Sequence, residues 1–414
     1  MAQPTGIHAR RAALKLLDAV LRRGETLEQA GGAALRDVRD ANDQALARAI
    51  AGEGLRWLTD LDAAIDSATR QKLPEDAKPR AVLRLMLAQA LRLGTPPHAV
   101  IATGLPLLAG GPRRLAHGVF STLMKDGAGL PEFPTLPPDV AARWGDGRAE
   151  AIARGLVEPP EVDLNLKDPA ETALWQAKLG GTSLAPGHVR VPRGTAVERL
   201  EGYNEGAWWV QDLAAQLPAA LLGEAGGHAL DLCAAPGGKT MALAAGGWKV
   251  TALDASKRRL DVLKSNLKRT GLAASTVRAD ALAWEPKHAF DAILIDAPCT
   301  ATGTCRRHPD VLHRIGVRQI AEMVELQRAL VERAALWLKP GGTLVYAVCS
   351  LEREEGEEQA AWIDANIGLI PHEIEPHELP AGLAPSPEGW LRTDPGMLRY
   401  EGGLDGFFVA RWRK

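Results

Sequence analysis

Two cysteines, each closing an apolar run, carry the most chemistry in this chain. Cys299 ends Ala292-Ile293-Leu294-Ile295-Asp296-Ala297-Pro298-Cys299, and Cys349 ends Thr343-Leu344-Val345-Tyr346-Ala347-Val348-Cys349. Upstream, Leu230-Asp231-Leu232 runs into the turn Cys233-Ala234-Ala235-Pro236-Gly237-Gly238-Lys239. In a parallel sheet the carboxyl ends of the strands converge on one ligand crevice, so a nucleotide-type cofactor and two thiols are expected to share a pocket. Few reactions want that combination. Addition of a thiolate to a pyrimidine ring, followed by alkylation of the ring, is one.

The turn precedes a helix, where glycines admit a ligand to the backbone and free N–H groups face it. It is neither G-x-G-x-x-G nor a Walker loop, which disfavours a dinucleotide or a nucleoside triphosphate. Asp254 closes the next apolar run and is placed to accept from two ribose hydroxyls. Asp280 follows the third run and is placed to accept from an adenine amino group. Two such carboxylates without a pyrophosphate cradle fit the adenosine of S-adenosylmethionine. Each aspartate taken alone is as well explained as a helix cap.

These residues need a scaffold. From about residue 210 onward, strand-like runs alternate with helical ones, near 229–232, 249–254, 275–278, 290–295, 343–348 and 406–412. That is the pattern of a doubly wound α/β sheet. The long helix before Lys339-Pro340-Gly341-Gly342 carries one stripe of Ile320, Met323, Val324, Gln327, Leu330, Val331, Ala334 and Leu338. The acidic stretch from Glu352 to Glu358 reads as a solvated helix start. Residues 1–126 read as an all-α bundle whose central helix includes 81–88, apolar nearly all round. A Pro/Gly-rich linker is expected over 127–139 and a small α+β subdomain over 140–205, ahead of a catalytic domain over 206–414. Tyr203, Trp208 and Trp209 are expected to pack between subdomains.

With 414 residues, 46% hydrophobic and 24% charged, the chain has the composition of a multidomain soluble protein. No apolar run reaches the roughly 20 residues of a membrane span, and no secretory leader is visible, so a cytoplasmic location is expected. The four cysteines, Cys233, Cys299, Cys305 and Cys349, lie in the second half and show no C-x-x-C spacing. Neither a disulfide framework nor a metal site is expected. A net charge of −2 excludes a global nucleic-acid signature, leaving local basic clusters as RNA-contact candidates: Arg190 with Arg193, and Arg306-Arg307-His308.

The motifs Leu232-Cys233-Ala234-Ala235-Pro236-Gly237-Gly238-Lys239-Thr240, Ile295-Asp296-Ala297-Pro298-Cys299-Thr300-Ala301-Thr302-Gly303, Arg306-Arg307-His308-Pro309-Asp310 and Tyr346-Ala347-Val348-Cys349-Ser350 resemble the Sun/Fmu-type RNA cytosine-5 methyltransferases, and among them the bacterial 16S ribosomal RNA methyltransferase B group. The N-terminal part resembles the NusB-like domain of the same proteins through 45–48, 81–85 and Pro96-Pro97-His98-Ala99-Val100. Val348 stands where the family usually has Thr, Thr300 where it has Ser, and Cys305 where an apolar residue is usual.

The resemblance implies a Rossmann-like S-adenosylmethionine methyltransferase domain that forms 5-methylcytosine in RNA, 16S ribosomal RNA first, through a covalent cysteine–cytosine intermediate. Transfer RNA or another RNA, and a non-catalytic assembly factor, are the alternatives. The residues alone leave open which thiol attacks; the resemblance assigns Cys349 as nucleophile and Cys299 to release of the methylated base, with Asp296 and Lys239 beside them. It implies a cofactor site of Cys233, Ala234, Ala235, Pro236, Gly237, Gly238, Lys239, Asp254, Arg259, Asp280 and Asp296. A monomer that binds RNA without metal or membrane is expected.

Overall fold

The computed structural model describes residues 6–414 and divides into two compact units. The first holds the residues up to Val157 together with Arg307–Ile315; the second holds Glu158–Arg306 and Gly316–Lys414.

The first unit is all helix. Its central helix, Lys78–Leu91, buries Val82, Leu83, Leu85, Met86, Leu87 and Ala88, as the apolar run predicts. Two arginines on it are buried as well, and each meets acid from Leu58–Ser67: Arg84 forks onto both oxygens of Asp62 at 2.7 Å, and Arg80 reaches Asp62 and Asp66. Gly104 lets the next helix close on it, since a Cβ there would meet Met86 Cγ at 2.7 Å. The expected linker is an ordered part of this unit. Leu136 is buried, and the Thr135 N–H donates to Asp60 at 2.9 Å. The helices Pro138–Trp144 and Asp146–Gly155 also belong here and not to the α+β subdomain, because Val140, Trp144, Ile152 and Ala153 are buried within the unit.

The second unit contains two sheets. Strands β1 (Val162–Leu166), β2 (His188–Val191) and β3 (Trp208–Val210) form an antiparallel sheet in the order β2-β1-β3, so the subdomain extends past residue 205. The two-residue period of β3 sends its tryptophans to opposite faces. Trp208 joins the core of this sheet with Leu164, Val189 and Trp175, and Trp209 packs with Ala234, Ala235, Met241 and Leu263 beside the glycine turn. Trp209 thus packs between subdomains as expected, whereas Trp208 fills the small sheet's own core, with Tyr203 against it.

The large sheet comprises β4 (His228–Leu232), β5 (Lys249–Asp254), β6 (Ala274–Arg278), β7 (Phe290–Asp296), β8 (Leu338–Val348), β9 (Ile370–Pro371), β10 (Leu391–Thr393) and β11 (Phe407–Arg413). Its order is β10-β11-β8-β7-β4-β5-β6, with β9 against β11; β4 to β8 run parallel, and β9, β10 and β11 pair antiparallel. This is the expected Rossmann-like sheet; the antiparallel pairing at its edge, with β9 and β10, goes beyond the expectation. Strand β4 has β5 on one side and β7 on the other, which makes its carboxyl end the topological switch point where such folds bind ligands.

Candidate active site

The chain leaves β4 through Cys233, whose φ of 65° is left-handed, an uncommon state for a side chain larger than glycine. Backbone held in this way clusters at functional sites. The turn then folds tightly against the helix Lys257–Thr270: Gly237 has φ 108°, and a Cβ there would sit 2.8 Å from Leu263 Cγ. The turn is further pinned by Asp254 at the end of β5. Its Oδ2 accepts from the Ala235 N–H at 3.2 Å, and its Oδ1 from the Ser256 N–H at 2.8 Å. Arg259 donates to the Ala235 carbonyl and lies 3.6 Å from Asp254. Each carboxylate oxygen has a second lone pair, so Asp254 keeps capacity for a ligand hydroxyl. Asp280 is exposed beyond β6, with Oδ1 accepting from the Leu282 N–H at 3.0 Å.

Across the switch point, β7 and β8 deliver the thiols. The Cys299 and Cys349 Sγ atoms are 3.5 Å apart and both residues are partly exposed. Beside them the buried Lys239 Nζ pairs with Asp296 Oδ2 at 2.8 Å and lies 5.1 Å from the centroid of the Phe407 ring. Burial pulls the Lys239 ammonium down, but the charge and hydrogen bond of Asp296, aided by Cys349 and Asp231, outweigh it and hold its pKa above the ordinary lysine value. The hydrogen bond with Cys349, then burial, then the charges of Cys349 and Glu355, push the Cys299 thiol well above its ordinary value. Burial, with Asp296 and Asp254 nearby, pushes Cys233 up to about 12, which makes it an inert thiol. Cys305 is fully buried.

A family model described as "16S rRNA methyltransferase RsmB/F" matches residues 219–413, and a NusB-family model matches residues 7–107. The chain is 33% identical to the ribosomal RNA small subunit methyltransferase B of Xylella fastidiosa strain Temecula1, across 98% of both chains. It is 35% identical to the protein of that name from Xanthomonas campestris, over 86% of this chain and 87% of the relative. The chain belongs to the RsmB/F methyltransferase family. In fold it is also similar to a methyltransferase homolog protein from Pyrococcus horikoshii, with 27% identity and a TM-score of 0.56 over 66% of this chain and 94% of the other. Among the described residues no helix is long and apolar enough to cross a membrane.

The basic candidates divide under this RsmB/F fold. Arg190 is not placed to meet a phosphate: it is buried, forks onto Asp163 at 2.6 and 2.9 Å, and donates to the carbonyls of Glu401 and Gly403 at 2.5 and 2.8 Å. Arg306 is likewise buried and donates to the Gly402 carbonyl at 2.6 Å. Two arginines thus hold three successive carbonyls of one turn, which removes both from the RNA-facing set. Arg193 is exposed, 3.6 Å from Glu158. Arg307 and His308 are exposed on the segment assigned to the first unit.

Glu355 belongs to this site although no motif singles it out. The stretch from 352 to 358 is not a solvated helix start: Glu352 and Glu355 are 1% and 0% exposed, and the helix begins only at Glu357. Glu355 Oε1 accepts from the Thr300 N–H and Gln327 Nε2, each at 2.9 Å; Oε2 accepts from the Ser350 hydroxyl at 2.5 Å and from the Thr300 hydroxyl. Burial pushes its carboxyl above the usual range, against those hydrogen bonds. The available signal was position, since the acid follows six residues after a strand-end thiol.

Proposed function

We propose that this chain transfers a methyl group to carbon 5 of a cytosine in 16S ribosomal RNA, with S-adenosylmethionine as donor. The observation that carries the reading is the pair of thiols 3.5 Å apart beside the Lys239–Asp296 ion pair at the switch point of a Rossmann-like sheet. The turn 233–238, Asp254 and Asp280 would hold the adenosyl cofactor, whose sulfonium would supply an electrophilic methyl.

Carbon 5 of cytosine is a weak nucleophile. Cys349 Sγ adds to carbon 6 and turns carbon 5 into an enamine carbon able to take the methyl, which is covalent catalysis. The Lys239 ammonium attracts a thiolate at Cys349, and Asp296, a third open to solvent, hydrogen-bonds the polar edge of the base. The carbon 5 proton must then leave before the carbon–sulfur bond can break. Cys299 serves as the base for that step. Its largest restraint in the resting site is the hydrogen bond with Cys349. As a thioether Cys349 carries no charge, which removes one of the influences that raise Cys299; Cys299 gives up its own proton to solvent at the partly exposed site before it takes the one from carbon 5. A cytosine in folded RNA reaches these groups only if flipped out or already unpaired.

The test is an RNA with 5-fluorocytidine at the target. Fluorine cannot leave as a proton, so methylation should trap a denaturation-resistant protein–RNA complex whose peptide map places the adduct on Cys349. Full methylation of ordinary RNA with no trapped complex would remove the covalent mechanism. Bisulfite sequencing of 16S ribosomal RNA from a deletion strain identifies the cytosine.

A further inference from the structure

The buried carboxylate of Glu355 touches the chain on both sides of the thiol pair. Thr300, which offers it an N–H and a hydroxyl, directly follows Cys299; Ser350, which offers a hydroxyl, directly follows Cys349. Gln327, from the long helix Val317–Trp337, donates to Glu355 and to the Pro298 carbonyl, each at 2.9 Å, and so grips the residue before Cys299. The acid itself is anchored: its backbone carbonyl accepts from the Tyr346 hydroxyl at 2.8 Å, inside β8. Gln327 is held in turn, with its Oε1 accepting from Gln359 at 3.0 Å. No atom of this network needs to reach substrate.

We propose that Glu355 is a positioning residue that registers the Cys299 and Cys349 loops against each other, and so sets the separation of the two thiols for attack and release. This rests on the methyltransfer reading above. A buried carboxylate with each oxygen taking two donors is a stiff joint, because losing any donor leaves a desolvated polar atom. Reacting groups misplaced by about 1 Å cost about 10²-fold in rate.

The experiment compares Glu355→Ala, Glu355→Gln, Ser350→Ala and Thr300→Val by kcat, KM for RNA, S-adenosylmethionine affinity by calorimetry, and yield of the 5-fluorocytidine adduct. Glu355→Ala should lower kcat by about 10²-fold while KM and cofactor affinity stay within about twofold. Glu355→Gln, which keeps the shape, should recover part of that loss. A merely structural role would instead move cofactor affinity and KM together with kcat, and would overturn the proposal. If Glu355→Ala does not fold, Ser350→Ala and Thr300→Val decide, since each removes one donor and keeps the acid. A kcat within twofold of wild type in both would overturn it. Failure of the wild-type protein to form any adduct counts against the covalent reading, and leaves the kcat comparison readable on its own.

Discussion

Cys299 and Cys349 are fifty residues apart in the chain, yet their sulfurs lie 3.5 Å apart because β7 and β8 are neighbours in parallel register. Asp296 pairs with Ala347, and the Ala297 N–H continues the ladder onto the Ala347 carbonyl at 2.9 Å. Cys349 follows two residues later and Cys299 three after Asp296. Beyond the strands the two loops stay together: the Gly303 N–H donates to the Cys349 carbonyl at 3.0 Å, and the Leu351 N–H to the Thr302 hydroxyl at 2.9 Å. The sheet brings the thiols close; the loop contacts fix how they meet.

The two thiols have different tasks in the proposed cycle, so their removal should have different consequences. We predict that Cys349→Ala abolishes methyl transfer while S-adenosylmethionine affinity survives, because the residue stands on β8 and not in the turn. Cys299→Ala should still attack and methylate, then stall, so that a covalent RNA adduct accumulates on natural RNA. Gel mobility under denaturing conditions reads both. Turnover that persists without the Cys349 thiol would reverse the assignment.

The Lys239–Asp296 pair should be more sensitive to loss of one member than of both. Asp296→Ala leaves a buried ammonium without its partner, at a cost of about 2 kcal/mol, less than a fully buried pair because Asp296 is a third open to water. Lys239→Met in the same chain should restore most of that stability and none of the activity. Thermal melts of the two single variants and the double variant form the cycle. A double variant no more stable than Asp296→Ala would show that the lysine is not the source of the loss.

The parts of this fold that were legible in the sequence are those with one physical solution. Parallel strands covered on both faces read as unbroken apolar runs, and Ile293-Leu294-Ile295 and Leu344-Val345-Tyr346 are buried as read. The glycine turn was legible because close approach needs Gly237. What failed was the fate of charged residues. Arg190 and Arg306 read as phosphate contacts, but the carbonyls of Glu401, Gly402 and Gly403 that they hold have no sequence signature. Glu355 read as solvated because an acidic run does not say which member faces inward. The Pro-rich stretch read as a linker because proline and glycine mark turns equally in a free connection and in one packed on a helical unit.

Asp231 gives a stability test. It is fully buried on β4, and its carboxyl is pushed up to about 7, chiefly by burial, against the 2.5 Å hydrogen bond from the Thr240 hydroxyl. The folded protein therefore keeps a proton that the unfolded chain releases near its ordinary 3.8. Its contribution to stability is whole below about pH 4 and falls as pH rises toward 7. Asp231→Asn keeps an acceptor for Thr240 and does not titrate. The difference between about 7 and 3.8 corresponds to about 4 kcal/mol. The variant should gain most over wild type near pH 8 and little at pH 4, read as the gap in melting temperature. An equal gap at both pH values would place the proton elsewhere.

Arg190 and Arg193 lie three residues apart on one edge of the subdomain, and the structure gives them opposite expectations. Arg190→Ala strips a buried partner from Asp163 and releases the Glu401–Gly403 turn, so unfolding free energy should fall by about 3 kcal/mol. The salt dependence of RNA binding should not change, because no phosphate contact is lost. Arg193→Ala removes an exposed charge. Stability should stay within about 0.5 kcal/mol. If Arg193 meets a phosphate, the slope of log affinity against log salt should shrink by about 1. Filter binding from 50 to 200 mM salt, with chemical denaturation of each variant, separates the two. A changed slope for Arg190→Ala at full folding would return that arginine to the RNA surface, and an unchanged slope for Arg193→Ala would remove the other.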